Sequence, residues 1–332
     1  MKFLASFVAL WAGVGSVAAC DLCAIYTASS ARGDSGSGPI FTLNEQYVPA
    51  HTLQYEGKVY KAFPEIQANR LDTSFTHLVP GYNFSPELGL NLNLPLIYRS
   101  FHRVELEPTM GKILDEKGSE FGLGDVSLIG RWTAFKIAKM GYSVSFNLLG
   151  GVKFPTGDTQ RLDNEVARER LYNSFFGSGV HAHEFGGVHE HDLTLGSGSF
   201  DGIVGTALNL RWKKWFLNQQ FQYYIRTEGH NYQFGDWIIV SGGPGVYILA
   251  NEDYSLSLQA NAYYESMAQD TVFGKIHDQT GYTSWYFGPQ IVFTLGEHFS
   301  AQAGIDIPLR IYNHGLQNVP DYSLRGGFRW RF

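Results

Sequence analysis

The stretch 254–265, which reads YSLSLQANAYYE, alternates between two kinds of side chain. One parity consists of Tyr254, Leu256, Leu258, Ala260, Ala262 and Tyr264, and the other of Ser255, Ser257, Gln259, Asn261, Tyr263 and Glu265. A period of two residues is that of a β-strand, whose successive side chains point to opposite faces. The apolar parity has an aromatic residue at each end and aliphatic residues between, as expected for a lipid-facing strand between two aromatic girdles. The stretch therefore predicts one strand of a transmembrane β-barrel.

Comparable alternation recurs to the end of the chain. In the last segment Leu324, Phe328 and Trp330 share one face, whereas Arg325 and Arg329 lie on the other. Helical periodicity is scarce, so the body of the chain is predicted to be antiparallel β-sheet. The twelve predicted strands are Ile40–Val48, Gln67–Val79, Phe84–Arg99, Leu123–Ala134, Gly141–Phe154, Ser199–Arg211, Trp215–Arg226, Tyr232–Leu249, Tyr254–Glu265, Tyr282–Leu295, Phe299–Ile311 and Tyr322–Phe332.

The predicted connections alternate between short and mostly long. The short ones are 80–83, 135–140, 212–214, 250–253 and 296–298, and the others are 49–66, 100–122, 155–198, 227–231, 266–281 and 312–321. Outer-membrane barrels have this layout, with short periplasmic turns and long extracellular loops. We therefore predict an all-β, transmembrane, antiparallel up-and-down β-barrel of about twelve strands in the bacterial outer membrane, with both termini on the short-turn rim. A soluble β-sandwich also alternates, and it stays open as the competing fold.

The composition favours a membrane barrel. Charged residues make up 17% of the chain, against about 25% in a typical globular domain. Aromatic residues reach 15% and glycines number 38, which suits aromatic girdles and many tight turns. No later segment offers about 18 consecutive apolar residues, so no transmembrane helix is predicted. The net charge of −6 gives no indication of nucleic-acid binding.

The first residues have the features of an export signal. Lys2 precedes the short apolar stretch Phe3–Val14, and small residues follow it. We predict a signal peptide over 1–19, a periplasmic segment with a Cys-x-x-Cys element over 20–38, and the barrel over 39–332. Cys20 and Cys23 are the only cysteines in the sequence. Acylation of Cys20 and a small disulfide or metal site formed by the pair both stay open.

Three short elements resemble a known family. They are Gly122–Val126 (GLGDV), Gly151–Asp158 (GVKFPTGD) and Leu195–Asp201 (LGSGSFD). They resemble the outer-membrane proteins named for the phenol-degradation meta pathway (the MetA type), and the resemblance extends over roughly 78–332. It implies a barrel with a transport role and carries no catalytic residues over to this chain. The ending Trp330-Arg331-Phe332 resembles the signal read by the barrel-assembly machinery, which is therefore an expected partner through Phe332.

The longest connection is rich in histidine. It contains His181-Ala182-His183-Glu184 and His189-Glu190-His191-Asp192. Imidazoles and carboxylates are ligands for zinc, nickel and copper. The other histidines predicted on the same rim are His51, His102, His230, His277 and His314. The pattern predicts capture of a divalent transition metal through His181, His183, His189, His191 and Asp192, or a pH-responsive mouth. A solvated loop without a ligand is the competing interpretation.

Charged residues recur at positions predicted to face the lumen. They are Glu87, Asp125, Arg131, Arg226, Glu265, Asp306, Arg310, Arg325, Arg329 and Arg331. In a water-filled channel such side chains set selectivity, whereas in a narrow barrel they pair with each other and fill the space. An open pore and a plugged barrel both stay open as interpretations.

The expected function is that of an outer-membrane channel or transporter for a small solute, with metal capture at the histidine-rich loop. Uptake of an aromatic or hydrophobic compound without a metal is the alternative within this class. A structural barrel or an outer-membrane enzyme is the alternative of another class. The sequence has no Gly-x-Ser-x-Gly, His-Glu-x-x-His or nucleotide-loop motif, so no enzyme is predicted. The expected partners are membrane lipid and the solute or metal ion.

Overall fold

Twelve antiparallel strands form a closed wall. The computed structural model describes residues 36–61, 66–107, 112–176 and 186–332. The wall strands are β1 (Gly38–Ala50), β2 (Arg70–Asn83), β3 (Leu88–Glu107), β4 (Ser127–Lys139), β5 (Tyr142–Lys153), β6 (Asp201–Trp212), β7 (Trp215–Ile225), β8 (Trp237–Ala250), β9 (Tyr254–Met267), β10 (Tyr282–Leu295), β11 (Phe299–Asn313) and β12 (Ser323–Arg331). Each strand pairs with the next in sequence, and β1 pairs with β12 from Ile40↔Arg331 to Tyr47↔Leu324. The predicted twelve-stranded up-and-down barrel is confirmed.

The barrel is apolar outside and polar inside. On β9, Tyr254 and Leu258 are exposed on the outer face, whereas Ser257 and Gln259 are buried in the interior. This is the reverse of a soluble sandwich, whose apolar face is the buried one. The apolar outer surface of a closed barrel places the protein in the bacterial outer membrane. Among the described residues, no helix is long and apolar enough to cross a membrane.

The two rims differ as predicted. Short turns at 84–87, 140–141, 213–214, 251–253 and 296–298 lie on the rim where β1 begins and β12 ends. The tightest are the two-residue turns Met140–Gly141 and Lys213–Lys214, in which Gly141 has φ +74° and Lys213 has φ +54°, the left-handed conformation that such hairpins require. The first turn begins at 84 rather than 80, because Pro80 still pairs with Phe41 inside β2. Both chain ends of the barrel therefore lie on the periplasmic rim.

The other rim carries additional structure. On the side of β4, the outer half of β3 extends beyond the wall and pairs with a further strand, Lys112–Leu123, in a segment that was predicted to be a loop. On its other side it stays paired with β2 as far as His102. Two small sheets lie on this rim, one made of Thr52–Tyr55, Lys58–Val59 and Leu316–Val319 and the other of Tyr232–Gln233, Thr271–Val272 and Lys275–Ile276. The helices are α1 (Gln160–Phe176), the short α2 (Glu190–Leu193) and a 3-10 turn at Ile66–Ala68.

We expect Leu258→Arg to lower the free energy of unfolding by roughly 2–4 kcal/mol, the cost of an arginine at the bilayer midplane. Leu258 is exposed on the outer face, midway along β9 between Tyr254 and Tyr264. Equilibrium refolding into lipid vesicles at graded urea concentrations measures the change. Leu258→Ala, which loses apolar area without adding charge, is the control. Equal unfolding free energies for the two variants would show that Leu258 does not face lipid.

Candidate functional site: a plugged mouth above a lumen chamber

A segment of the longest connection crosses the outer mouth of the barrel. At one end Gly187 accepts a hydrogen bond from the backbone N–H of Asn318 at 2.6 Å, in the connection that follows β11. At the other end Ser197 donates its hydroxyl to Asp125 at 2.7 Å, beside the start of β4. The first end therefore lies on the side of the closed sheet formed by β1, β11 and β12, and the second end lies on the opposite side, formed by β4 to β6. We call α1 together with residues 186–197 the plug.

Helix α1 lies on the outer rim and supports this segment. It begins at Gln160, whose backbone N–H donates to the Asp158 carboxylate at 2.7 Å, as in an N-terminal cap. Its apolar residues Leu162 and Val166 are buried against Tyr232 and Val272 of the small sheet. The plug is therefore packed on the mouth rather than extended into solvent.

Buried ion pairs bind the plug to the extension of β3. Arg103, only 2% exposed, places Nη2 2.9 Å from Glu116 and 2.9 Å from Glu190 of α2. Arg161 and Arg168 of α1 also contact the Glu190 carboxylate, at 3.1 and 2.9 Å. Carboxylates and guanidinium groups alternate through the cluster, so each buried charge is compensated. The contacts join the helices to a part of β3 that lies beyond the wall.

A second charged cluster fixes the other end of the plug. Lys153 lies at the end of β5, and its Nζ contacts Asp125 at 2.8 Å and Asp201 at 2.7 Å. Arg226 contacts the same oxygen of Asp201 at 2.7 Å. Although burial raises the pKa of Asp125, the Lys153 ammonium and the Ser197 hydrogen bonds outweigh it and hold that pKa below its ordinary value. Two acids and two bases therefore form a neutral buried set beneath Ser197.

A chamber of about 250 Å³ lies in the lumen beneath the plug. Thr194 and Ser197 of the plug border it, as do Trp237, Glu265 and Asp306 of the wall. Arg99 reaches from β3 to the plug and donates to the backbone carbonyls of Asp192 and, at 2.5 Å, Thr194. Deeper in the barrel the buried side chains are mainly amides and hydroxyls, including Asn44, Asn91, Asn147, Gln220, Ser257 and Gln290. The chamber is therefore bounded by the plug on one side and by a polar lumen on the other.

The histidines of the plug take part in its internal packing. His191 Nδ1 lies 2.9 Å from Glu165 of α1, and the His191 ring stacks on His189 with centroids 5.3 Å apart. His277 meets the same ring edge-on at 5.8 Å. His189 Nε2 lies 3.2 Å from the Leu316 carbonyl oxygen. Three imidazoles thus converge at the mouth, and two of them, His191 at 2.9 Å and His277 at 3.8 Å, lie against the Glu165 carboxylate.

The predicted metal site is described only in part. His181 and His183 lie outside the described residues, whereas His189, His191 and Asp192 lie in the plug. Within the described part of the chain, no group of three or more histidine, cysteine, aspartate or glutamate residues is placed to hold a metal ion. Cys20, Cys23 and the predicted signal peptide also lie outside the described residues. The metal, lipidation and signal-peptide predictions stay predictions.

Glu165 is held ionised by the histidines around it. Burial raises its pKa, but the charge and hydrogen bond of His191, with His277 and His189, outweigh burial and lower it. Because the pKa is lowered in the folded protein, the stabilisation is present above the unfolded value of about 4.3 and is lost only as pH falls through the lowered pKa. At neutral pH the carboxylate therefore stays paired with His191.

We expect His191 to stay protonated from about pH 5 to pH 8, although imidazole ordinarily titrates near 6.5. Burial lowers its pKa, but the charges of Glu165, Asp192 and Asp270 outweigh burial and raise it well above the ordinary value. The stabilisation is then complete below about pH 6.5 and is lost only as pH rises through the raised pKa.

The His191 expectation is checked by NMR titration of isotope-labelled histidine in the folded barrel. The Glu165→Gln variant is the control, because removing the carboxylate charge should bring the midpoint of His191 down. A wild-type midpoint near 6.5 for His191 would contradict the expectation, and the plug would then respond to physiological changes in pH.

Most of the predicted lumen residues are buried in the barrel. Asp125 and Arg226 belong to the Lys153 cluster, and Arg325 forms a two-pronged ion pair with Asp306 at 2.5 and 3.0 Å. Nearer the periplasmic rim Arg131 donates to Thr133 and Asn83, and Arg329 is also buried. Glu265, which was also predicted to face the lumen, is buried in the chamber wall.

Two of the predicted lumen positions are wrong. Arg310 is exposed on the outer face, opposite Trp285, because the register shifts there and one extra residue is inserted in β11. Such a bulge reverses the facing of the residues beyond it. Glu87 is also outside the lumen, since it lies in the exposed turn before β3 and accepts a hydrogen bond from Ser85.

Several residues of the site were not identified from the sequence. Lys153 and Asp201 lie at the ends of strands within the GVKFPTGD and LGSGSFD elements, so those elements marked the cluster without showing its pairing. Arg99 and Arg103 lie in the outer half of β3, which was predicted to end at Arg99. The alternation of polar and apolar residues ends near Arg99, because the part of β3 that extends beyond the wall no longer has a face in contact with lipid.

The fold is similar to that of solved outer-membrane barrels. An outer-membrane channel from Pseudomonas putida F1 matches with a TM-score of 0.57 at 11% identity, over 93% of this chain and 100% of that one. A FadL homologue from Pseudomonas aeruginosa matches with a TM-score of 0.35 at 8% identity, over 89% and 90% of the two chains. The TodX monoaromatic hydrocarbon channel matches with 0.37 at 9%, over 92% and 93%.

The likeness to the P. putida channel supports the barrel fold. Of the three, only this one has a TM-score high enough to carry an argument, and at its low identity that argument concerns the fold alone. No protein-family model matches the sequence, and no curated protein matches it. The resemblance to the phenol-degradation meta-pathway proteins stays a prediction.

Proposed function

We propose that this protein is an outer-membrane channel for a small solute, with its outer mouth occluded by the plug. The chamber of about 250 Å³ enclosed between the plug and the wall is the observation that carries the proposal. It is slightly smaller than the pockets that hold drug-sized ligands, so it suits a solute of one ring or a short chain. The P. putida protein with a similar fold is itself a channel.

The chamber lining favours a solute with both an apolar and a polar part. Trp237, Tyr263 and Phe234 provide aromatic surface, whereas Arg99 and the Asp306–Arg325 pair provide charge. Binding sites for small molecules combine these two kinds of surface, since apolar contact gives affinity and a few polar groups fix orientation. The alternative of aromatic-compound uptake without a metal is therefore the better supported of the two solute predictions.

Excision of the plug tests the channel. The ends of the plug lie side by side, because the N–H of Leu195 donates to the Asp158 carbonyl at 3.1 Å. Residues 159–194 can therefore be replaced by a short Gly-Ser linker without separating β5 from β6. Single-channel recording in planar bilayers should show low conductance for the wild type and a severalfold higher conductance for the excised variant.

Two controls keep the result interpretable. In the first, both proteins must run as folded barrels on unheated gels. The second is a different deletion, which shortens the small hairpin at Thr271–Ile276; this hairpin packs against α1 but does not cross the mouth. Excision without any rise in conductance would overturn the channel proposal, since the lumen would then be closed by its own wall residues.

Metal capture at the mouth is the second candidate function. It rests on the two His-x-His pairs of the sequence, and in the plug the ring centroids of His189 and His277 lie 5.3 and 5.8 Å from that of His191. Calorimetric titration with zinc, nickel and copper should distinguish the wild type from a variant in which His181, His183, His189 and His191 are all alanine. Equal affinities would leave these histidines with a packing role alone.

The C-terminal residue supports the proposed assembly partner. Phe332 is 70% exposed at the end of β12, and its N–H donates to the Pro39 carbonyl at 3.2 Å. An exposed terminal aromatic beside the closing pair of strands is accessible to the assembly machinery. Removal of Phe332 should reduce the amount of barrel inserted in the outer membrane without changing refolding of the purified protein in detergent.

A further inference from the structure

One carboxylate of the chamber lies at the centre of a grid of inward-facing residues on three adjacent strands. Glu265 of β9 pairs with Ile239 of β8 and Ser284 of β10. The row on its outer side is Trp237, Met267 and Tyr282, and the row on its inner side is Ser241, Tyr263 and Tyr286. Because alternate residues of a strand share a face, all nine side chains lie on the lumen side. The carboxylate is therefore surrounded by one indole and three phenol rings.

Glu265 lacks the compensation that the other buried acids have. It is 2% exposed, and no basic side chain of the described residues lies within 4.0 Å of its carboxylate. By contrast, Asp125 and Asp306 contact Lys153 and Arg325. A buried carboxylate without a cation is costly, so such a group is stabilised by hydrogen bonds or by a positive ligand, or it takes up a proton.

The hydrogen bonds around Glu265 come from two neutral side chains. One oxygen accepts from the Tyr263 hydroxyl at 3.0 Å, and the other accepts from the Ser284 hydroxyl at 3.1 Å. An ionised carboxylate acts only as an acceptor, and two neutral donors leave lone pairs on both oxygens. Neutral donors supply no positive charge, so the Glu265 carboxyl group faces the chamber without a charge partner among the described residues.

The rings complete a site for a positive group. Tyr263 and Tyr286 meet at 62° with centroids 5.7 Å apart, so their ring planes form a corner rather than a stack. Tyr282 is 2% exposed and borders the chamber, and its hydroxyl has no hydrogen-bond partner among the described residues. Ring faces carry negative potential, and cages of tryptophan and tyrosine bind quaternary ammonium groups. Gly288 lies opposite Asn261 in the next row inward, so no side chain closes the grid from that position.

We propose that Glu265, with Trp237, Tyr263, Tyr282 and Tyr286, forms a binding site for a small organic cation of the ammonium type. The cation would neutralise the buried carboxylate and contact the surrounding rings. The inference rests on the proposed channel function, because the chamber must be reached from outside. It gives that channel a substrate class: solutes with a positively charged nitrogen and a compact apolar shell.

Calorimetry on the full-length protein in detergent tests the site with choline as the probe. The comparison ligand is the neutral isostere of choline, in which carbon replaces the quaternary nitrogen. Both are titrated into the wild type and into the plug-excised variant, so that a closed mouth does not prevent binding. Choline should bind at least about 30-fold more tightly than the isostere, the ratio that corresponds to the loss of one partner of a buried charged pair.

Three variants assign the preference to the grid. Glu265→Gln should abolish the preference for choline, because the amide is nearly the same shape but uncharged. Tyr282→Leu should weaken choline binding by about tenfold, the effect of losing one desolvated cation–π contact. Tyr264→Leu is the matched control, since Tyr264 is the neighbour of Tyr263 on the opposite face of β9 and pairs with the outward-facing Trp285.

The outcomes separate the site from the channel. Equal affinities of the wild type for choline and its isostere would overturn the cation site, and this comparison does not depend on whether any variant folds. Unchanged choline binding in Glu265→Gln would overturn it as well. If the excised variant conducts but the protein shows no preference for choline, the channel proposal stands and the cation site is overturned. If choline binds but the excised variant does not conduct, the channel proposal is contradicted.

Discussion

Arg103→Ala is expected to release the plug and raise single-channel conductance toward that of the plug-excised variant. The guanidinium group of Arg103 contacts Glu116 and Glu190 at 2.9 Å and Glu105 at 3.3 Å, and it is almost completely buried. Its removal takes a guanidinium group away from two buried carboxylates, Glu105 and Glu190, which keep their contacts with Arg168 and, for Glu190, with Arg161. Breaking a buried ion pair from one side costs about 3–5 kcal/mol.

The cost of Arg103→Ala should fall on the plug rather than on the barrel. Arg103 lies in the outer half of β3, which pairs with Lys112–Leu123 beyond the wall. Bilayer recordings measure the conductance, and the unheated gel checks that the barrel remains folded. Arg70→Ala, at an exposed position on the same rim, is the control and should leave conductance unchanged. A folded Arg103→Ala barrel with wild-type conductance would mean that these ion pairs do not hold the plug in place.

Lys153→Met should lower the free energy of unfolding by about 3–5 kcal/mol, because it leaves Asp125 without a base and Asp201 with Arg226 alone. Methionine keeps the length and apolar stem of lysine, so the change isolates the charge. Urea unfolding from lipid vesicles measures the effect, with Lys139→Met at an exposed position as the control.

A second substitution separates charge from packing at Lys153. The double variant Lys153→Met with Asp125→Asn also removes the carboxylate that has lost its base, so part of the lost free energy of unfolding should return. Strict additivity of the two single changes would show that Lys153 and Asp125 do not interact in the folded protein, despite their separation of 2.8 Å.

The strand pattern could be predicted because the bilayer imposes it. Each wall strand has one face in lipid and one in the lumen, so the alternation in 254–265 reappears as the exposed Leu258 and the buried Gln259. The strand Lys112–Leu123 was missed because it lies beyond the wall, where no lipid face requires alternation. Arg310 was misplaced for a related reason, since a one-residue bulge changes no residue type but reverses the facing.

For the site, the sequence could predict which types of residue are present but not how they pair in space. The sequence identified His189 and His191 as chemically capable side chains, but it could not show that Glu165 binds His191 from a helix 26 residues away. Arg103 and Glu190 are 87 positions apart, and although Glu190 lies in the histidine-rich pattern, nothing in the sequence pairs it with Arg103. Glu265 was assigned to the lumen correctly, yet its position at the centre of three aromatic strands depends on the registers of β8, β9 and β10.

The closeness of Asp158 and Leu195 has a consequence for how the molecule can evolve and fold. Because the plug leaves and returns at one point, the register between β5 and β6, from Tyr142↔Trp212 to Lys153↔Asp201, is set by the strands alone. A longer or shorter insert changes the entropy of closing this connection only slightly, by about 0.6 kcal/mol for each doubling of length. The wall can therefore assemble before the plug packs onto the mouth. A plug of another sequence or length can replace this one while the strands that line the chamber keep their positions.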